Sequence, residues 1–596
     1  MQSLPTFENI GASPPTGVDA EAVGNAWTVN FANRVSTYDI PGVLSLLHSD
    51  IWWRDIVALT WDIRTFEGPA KTETFLRDRL QEAEFSNVKF LSADFQQPFP
   101  DLAWTLVQFS FETRVGLGRG VARLVYTKTG EWKAVTVCTA LDGLKGYDEL
   151  GPKRRDFSTC HAAWDQQRAA EREFTDRDPE VLIIGGGHSG LEVAARLKHL
   201  GVSALVLEKN ARVGDNWRNR YQSLSLHDPI WMNHLPYLSF PASWPVFAPA
   251  GKFANWLELY TDALELDVWT STNATHVERD ETTGKWVVTV RRADGSNRVM
   301  RVDHVVLAHG YLFKHTKFPG QEDFQGQIVH SSSYQDAKGW VGKKVVVVGA
   351  CTSGHDISSD CADLGIDVTM YQRSSTYVIS VDKVILGLMP AALWEGKPVQ
   401  ENDLISQSMP YSFQKVMMIE RGSAGLRMLD KELHDNLEKA GYRVNRSKEG
   451  ATMMFLGRGG GYYLDVGACQ QIIDGKIKIK NDAQISRFTK NGILFDNGSE
   501  LKADVVVVAT GFDDIRVPAK QLLGDEVGAQ IPQIWGLNDE SEVNSVWRDL
   551  APVAPNLWPM LGNLSFGRFF SKQLALQIKA KQEGVFGTRY SAPLPV

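Results

Sequence analysis

Three glycines, Gly185, Gly187 and Gly190, stand in the spacing GxGxxG after the apolar run Val181-Leu182-Ile183-Ile184 and before a helical pattern. That order reads as strand, tight turn and helix. The first glycine permits the turn, the second lets a pyrophosphate reach the backbone with no Cβ in the way, and the third lets helix and strand pack closely. Phosphate oxygens then meet the exposed amides of the helix N-terminus. A second apolar run, Ala204-Leu205-Val206-Leu207, ends in Glu208, where an acidic side chain accepts hydrogen bonds from a ribose 2′-hydroxyl.

The unit recurs. Val345-Val346-Val347-Val348 leads into Gly349-Ala350-Cys351-Thr352-Ser353-Gly354, with Cys351 where the middle glycine would stand. A small side chain there tolerates the turn and displaces the pyrophosphate slightly. The next strand, from Asp367, carries Arg373 and Ser374 instead of an acid. An acid would repel a 2′-phosphate, whereas arginine pairs with one. Two dinucleotides are therefore expected, the second being NADPH, with Gly349, Ser353 and Gly354 at its pyrophosphate and Arg373 and Ser374 at its 2′-phosphate.

The elements that position these residues follow from periodicity. Residues 22–37 and 41–48 read as helices, and 87–94, 103–112, 120–127 and 132–139 alternate apolar and polar side chains as half-buried antiparallel strands do. A polar helical connector with Lys153-Arg154-Arg155 and Glu171-Arg172-Glu173 then hands the chain to the first glycine turn. Strands at 285–290 and 303–307 end in Ala308-His309-Gly310-Tyr311, and 503–508 ends in Ala509-Thr510-Gly511-Phe512. Met, Leu and Trp residues on helical patterns fill 380–460, including Met389-Pro390. A helix from Ser571 to about Gln582 closes the reading.

Composition narrows the classes. Formal net charge is −8, from 63 basic and 71 acidic residues mixed along the chain, so no nucleic-acid footprint stands out. No apolar run approaches the ~18 residues of a membrane span, and residues 1–19 lack the basic and apolar regions of a secretion signal. The five cysteines, among them Cys160, lack CxxC or zinc spacing, which suggests a reduced, cytoplasmic protein without a metal site. It also argues against a flavin disulfide reductase.

Two resemblances add to this. Asp50-Ile51-Trp52-Trp53-Arg54-Asp55 after two helices, with Phe66-Glu67-Gly68 before the next, resembles the NTF2-like (SnoaL-like) α+β cone, for which a structural or assembly role is favoured. Phe324, Gly326, His330 and Tyr334 fit the FxGxxxHxxxY/F fingerprint of class B flavin monooxygenases. From about residue 180 to 515 the chain is similar to that class. Within it the chain most resembles the YUCCA-type indole-pyruvate branch, through Leu226-His227 with Pro229, Leu464-Asp465-Val466-Gly467-Ala468 and Gly475-Lys476-Ile477-Lys478.

The class resemblance implies an α/β protein with two Rossmann-type domains. The expected division is a disordered segment at 1–19, the NTF2-like domain at 20–150 and a helical linker at 151–178. The FAD domain would occupy 179–340 and 501–596, with the NADPH domain at 341–500. FAD would sit at Gly185, Gly187, Gly190 and Glu208 with Trp217 covering it, Thr510 and Gly511 in the second Ala-Thr-Gly-aromatic turn would also bind cofactor, and the last helix would point at the flavin pyrimidine.

The implied chemistry inserts one oxygen of O2 into a small organic molecule through a C4a-(hydro)peroxyflavin, with His227 and Tyr334 as catalytic candidates. Amine- and sulfide-oxidising members carry Asn at the position of His227, which shifts the expectation toward a keto acid or other carbonyl compound. N- or S-oxygenation is the alternative, and a non-catalytic flavin-binding assembly protein the reading from another class. A homo-oligomer through the first domain is also expected.

Overall fold

The computed structural model describes residues 3–151, 155, 164–311, 314–388 and 394–591. Lys153, Arg154, Cys160, Met389 and Pro390 lie outside them. Helices Ala20–Ser36 and Ile40–Ser45 start where the side chains of Asp19 and Asp39 accept a backbone amide of the first turn. With helix Pro69–Arg79 they pack on a six-stranded sheet, in the order Ile63–Glu67, Leu47–Ile56, Trp132–Leu144, Gly116–Tyr126, Leu102–Glu112 and Ser86–Phe99. Leu47–Ile56 runs parallel to Trp132–Leu144, and every other pair is antiparallel. The segment expected to be disordered at 1–19 is ordered where described. Leu4 is fully buried, and Thr6 caps a short helix, Phe7–Ile10.

From Ile51 onward, strand Leu47–Ile56 is buried on both faces, and its alternation shows why. Trp53 faces its own helices, with ring centroids 6.1 Å from Phe31 and 5.9 Å from Phe75. Trp52 faces the other way, edge-on to Phe413 at 5.1 Å. Arg54, on that same face, forms a two-pronged pair with Glu542, both bonds 2.8 Å, and donates to the Gln407 carbonyl. Farther along the sheet, Arg123 reaches Ser408 at 3.1 Å and Gln108 reaches Glu401 at 3.0 Å. The sheet face that an antiparallel unit commonly leaves to water is thus covered by the chain's own later segments.

Two parallel sheets follow. The first runs Leu557–Pro559, His304–Leu307, Val181–Ile184, Ala204–Leu207 and Val268–Trp269. The second runs Gln327–His330, Val505–Val508, Lys344–Val348, Asp367–Tyr371 and Ile477–Lys480. Pairing moves two sequence-based boundaries. Gln327–His330, assigned to the first nucleotide domain by its place before 341, is an edge strand of the second sheet. Val505–Val508, assigned back to the first domain, lies inside the second sheet, and Leu557–Pro559 is the strand that returns to the first. Val505–Val508 is apolar and buried on both faces, and Gln327–His330 is a four-residue edge strand, so neither pattern names its sheet.

The final helix, Leu564–Gln582, begins seven residues before the expected Ser571, because Asn563 accepts the Phe566 amide at 3.0 Å and fixes the start there. No helix of the described residues is long and apolar enough to cross a membrane.

The Arg54–Glu542 pair has no solvent exposure on either side chain. Replacing one partner leaves the other as an uncompensated buried charge, a loss of about 3–5 kcal/mol. Glu542→Gln is therefore expected to lower unfolding stability by that amount in urea titration. A loss below about 1 kcal/mol would mean that the pair behaves as a solvated one.

Candidate functional site

Each parallel sheet ends in a glycine turn, and the two turns are built alike. A Cβ on Gly185, whose φ is +114°, would lie 2.3 Å from the Ala308 carbonyl oxygen at the end of the adjacent strand. A Cβ on Gly349, φ +131°, would lie 2.2 Å from the equivalent Ala509 oxygen. Helix closeness is as strict: a Cβ on Gly190 or Gly354 would stand 2.0 Å or 2.1 Å from the carbonyl of the turn's own first glycine. Gly187 differs, since only the Asn216 amide nitrogen, 3.5 Å away, comes near. That opening is the approach the middle glycine is needed for.

Helices His188–His199 and Thr352–Asp363 start at these turns with no side chain capping them. Their first amides are free to donate to an anion, and the helix dipole favours one there. His188, the first residue of its helix, hydrogen-bonds to the Gly562 carbonyl at 3.2 Å, and burial pushes its pKa down to about 4. It is neutral at pH 7.

Around the first turn, Glu208 is buried at the end of its strand. One carboxylate oxygen accepts the Gly186 amide at 3.0 Å, and the other accepts both nitrogens of Asn210 at 2.7 Å. Trp217, on the short helix Asp215–Arg218 after Gly214, stands edge-on to Phe253 at 5.1 Å, and its indole N–H is buried without a partner. An uncapped helix, an open middle glycine, an anchored carboxylate and an unsatisfied indole N–H form a donor and acceptor set that fits an adenine dinucleotide.

The second turn opens into a cavity of about 1050 Å³. Gly349, Cys351, Ser353, Gly354, Arg373, Ser374, Thr510 and Gly511 all line it. Arg373 and Ser374 are exposed at its edge, so their donors are available to a phosphate. Thr510 shares a 2.9 Å hydroxyl contact with Thr316 and donates to the Lys314 carbonyl. The residues therefore fit a phosphorylated dinucleotide as well.

The two catalytic candidates fare differently. His227 lies off the cavity lining, between the sheets, with Nε2 3.8 Å from the Asp356 carboxylate on helix Thr352–Asp363. Tyr221 donates to that carboxylate at 2.6 Å, and burial pushes the Asp356 pKa above its ordinary range. The next residue, Asp228, accepts from Asn563 at 3.3 Å. Residues 227 and 228 thus tie the second glycine-turn helix to the start of the last helix.

Tyr334 packs against the second glycine-turn helix. Its side chain is buried, its hydroxyl donates to Asp360, and it packs on Trp340 and Tyr221. It is not among the residues that line the cavity. The fingerprint's His330 caps the short turn Ser331–Ser333 through its contact with Ser332.

An aromatic wall escaped the sequence reading. Tyr311 and Phe512, each following a glycine at a strand end, meet with ring centroids 5.1 Å apart. Trp535 stands 6.4 Å from Tyr311, and all three line the cavity. The Tyr311 hydroxyl is buried without a hydrogen-bond partner. The repeated glycine-aromatic turn was the available signal for the first two, whereas nothing in sequence marks Trp535.

With this geometry in place, a model described as flavin-binding monooxygenase-like matches residues 178–518. A protein of Oryza sativa subsp. japonica named indole-3-pyruvate monooxygenase YUCCA1 is 30% identical over 353 residues, 58% of this chain and 80% of its own length. Probable indole-3-pyruvate monooxygenase YUCCA3 of Arabidopsis thaliana is 30% identical over 338 residues, 56% of this chain and 72% of its own.

Among solved structures, cyclohexanone monooxygenase from Rhodococcus sp. Phi1 bound to NADP+ aligns with TM-score 0.51 at 17% identity, over 68% of this chain and 85% of that one. The OTEMO complex with FAD and NADP aligns with TM-score 0.51 at 17% identity, over 69% and 87%. These two speak for the fold alone. The six-stranded unit precedes the family match.

The pKa of His188 lies below its ordinary 6.5, so the unfolded chain takes up a proton that the folded one refuses. His234, His304 and His355 are likewise pushed down to about 4 by burial. Their contribution to stability is present above pH 6.5 and is lost as pH falls toward 4. Melting temperature is expected to fall across that window, and His188→Asn to flatten the slope; an unchanged slope would show that His188 titrates alike in both states.

Proposed function

Since the chain belongs to the flavin-binding monooxygenase-like family and is an oxidoreductase, we propose that it is an FAD- and NADPH-dependent monooxygenase acting on a small organic substrate with O2. The observation that carries this is the pair of glycine turns, one followed by Glu208 and the other by Arg373 and Ser374 beside the large cavity. Bound FAD would supply oxygen activation, and NADPH the hydride.

The protein's own part is binding, orientation and exclusion of water. The uncapped amides at 188–190 hold the FAD pyrophosphate, and Glu208 holds the ribose, keeping the carboxylate geometry that Gly186 and Asn210 already impose. Trp217 offers its free N–H and ring face to the same cofactor. Arg373 and Ser374 hold the 2′-phosphate at the cavity edge. Tyr311, Phe512 and Trp535 form an apolar screen that keeps water from the region between the two turns. The start of Leu564–Gln582, tied to Asp228 through Asn563, favours negative charge near it.

A keto acid or other carbonyl compound is the substrate class favoured, because His227 stands where amine- and sulfide-oxidising relatives of the class carry Asn. Two relatives named as indole-3-pyruvate monooxygenases agree with that direction. We read the first unit as an NTF2-like cone with a structural role, supported by its three helices and mixed six-stranded sheet. Self-association through it would have to use surfaces other than the sheet face already covered by residues 401–413 and 542.

Arg373→Ala is expected to raise KM for NADPH by at least about tenfold, the loss of a charge-assisted phosphate pair, with little change for NADH. Equal effects on the two nucleotides would remove Arg373 from the 2′-phosphate. Incubation with NADPH, ¹⁸O2 and a panel of keto acids, ketones, amines and sulfides, followed by mass spectrometry, should give labelled product from a carbonyl substrate. Labelled N- or S-oxide alone would favour the other branch.

A further inference from the structure

The hairpin at 535–544 joins the cavity to the six-stranded unit. At its base, the Trp535 amide donates to Asn544 and the Asn544 amide to Gly536, both at 2.9 Å, and Leu537 bridges Val543. Trp535 and Gly536 form part of the cavity wall. At its tip, the Asn538 side chain accepts the amides of Glu540 and Glu542 at 3.0 and 2.9 Å, which aims both carboxylates outward.

Arginines of the first unit take up both carboxylates, Glu542 fully buried and Glu540 half-buried. Glu540 takes a two-pronged bond from Arg64, 2.7 and 2.6 Å, and Glu542 takes one from Arg54 and a 2.6 Å bond from the Thr65 hydroxyl. Arg54, Arg64 and Thr65 lie on two adjacent strands, Leu47–Ile56 and Ile63–Glu67, of the six-stranded sheet. Arg548, just beyond the hairpin, pairs with Asp62 of the same unit. Every charged side chain of the tip from 540 to 542 is thus held by the first unit.

Trp535 itself has φ +70°, a left-handed conformation that a bulky residue adopts only when its surroundings impose it. On one side its indole N–H donates to the Phe455 carbonyl at 2.9 Å; on the other, the hairpin hydrogen bonds fix its backbone. We infer that the six-stranded unit is a strut for the cavity: by gripping the hairpin tip through Arg54, Arg64 and Thr65, it sets the position of Trp535 on the wall. Arg64 and Thr65 are positioning residues in this scheme, acting on the bound nucleotide only through the hairpin. The expected consequence for NADPH rests on the reading of the cavity as its site.

The test uses the flavin-loaded full chain with Glu540→Ala, whose pair is partly exposed, and Thr65→Val, which keeps side-chain shape. Hydrogen exchange in peptides covering 533–544 should quicken about tenfold in both, with exchange in the strands of the first unit unchanged. NADP+ dissociation constants should rise about five- to tenfold, with kcat at saturating NADPH altered less than KM. Unchanged exchange at 533–544 overturns the strut. So does faster exchange with NADP+ affinity unaltered, provided Arg373→Ala weakens NADP+ in parallel. If Arg373→Ala also has no effect on NADP+, the nucleotide reading fails instead, and the exchange measurement decides the strut alone.

Discussion

Two carbonyl groups, those of Ala308 and Ala509, leave no room for a side chain at the first glycine of each turn. That steric constraint governs the rest of the molecule. It lets each strand break sharply into a helix whose first amides stay unpaired, because no side chain caps them. Free amides at the carboxyl edge of a parallel sheet are what an anionic cofactor requires, and the rest of the site is arranged about them. Each constraint is set by a neighbouring strand rather than by the turn, so a turn becomes a site only once its sheet is assembled.

The two nucleotide units are joined by contacts that serve the site and the fold together. Tyr221 and His227 reach Asp356 on the second turn's helix, while Asp228 reaches Asn563 at the start of the last helix. Tyr311 and Phe512, at corresponding strand ends of the two sheets, touch across the divide. The active region is therefore a seam whose geometry depends on the packing of both sheets. Arg568 joins three segments by pairing with Asp403 in a buried, two-pronged contact while also donating to the carbonyls of Met232 and His234.

The first unit is bound to the rest through its sheet face instead of through a linker. Trp52 and Arg54 alternate with Trp53 and Asp55, so one strand supplies two cores. Buried ion pairs add little net stability over apolar contacts of the same size, yet they penalise any other register strongly. They fix where the hairpin sits more than how firmly the units hold together. The closing tail contributes as well, with Tyr590 donating to Asp78 and Phe586 packing on Trp61.

The glycine spacings and the apolar runs before them were legible in sequence because a tight strand-to-helix turn shows as a short local pattern, and Glu208 and Arg373 because each follows the next apolar strand. The helices and period-two strands of the first unit were legible for the same reason. Sequence pattern did not determine which sheet received Gln327–His330 and Val505–Val508, since four-residue runs carry too little alternation to name their partners. It did not show that the Tyr334 hydroxyl donates to Asp360, and it was silent on Trp535. Such features rest on partners far along the chain, Val505 beside Gln327 and Phe455 beside Trp535, and only chain folding brings them together. The sequence by itself determined that two glycine turns follow apolar strands; the tertiary structure decided which side chains stand between them, because those come from distant parts of the chain.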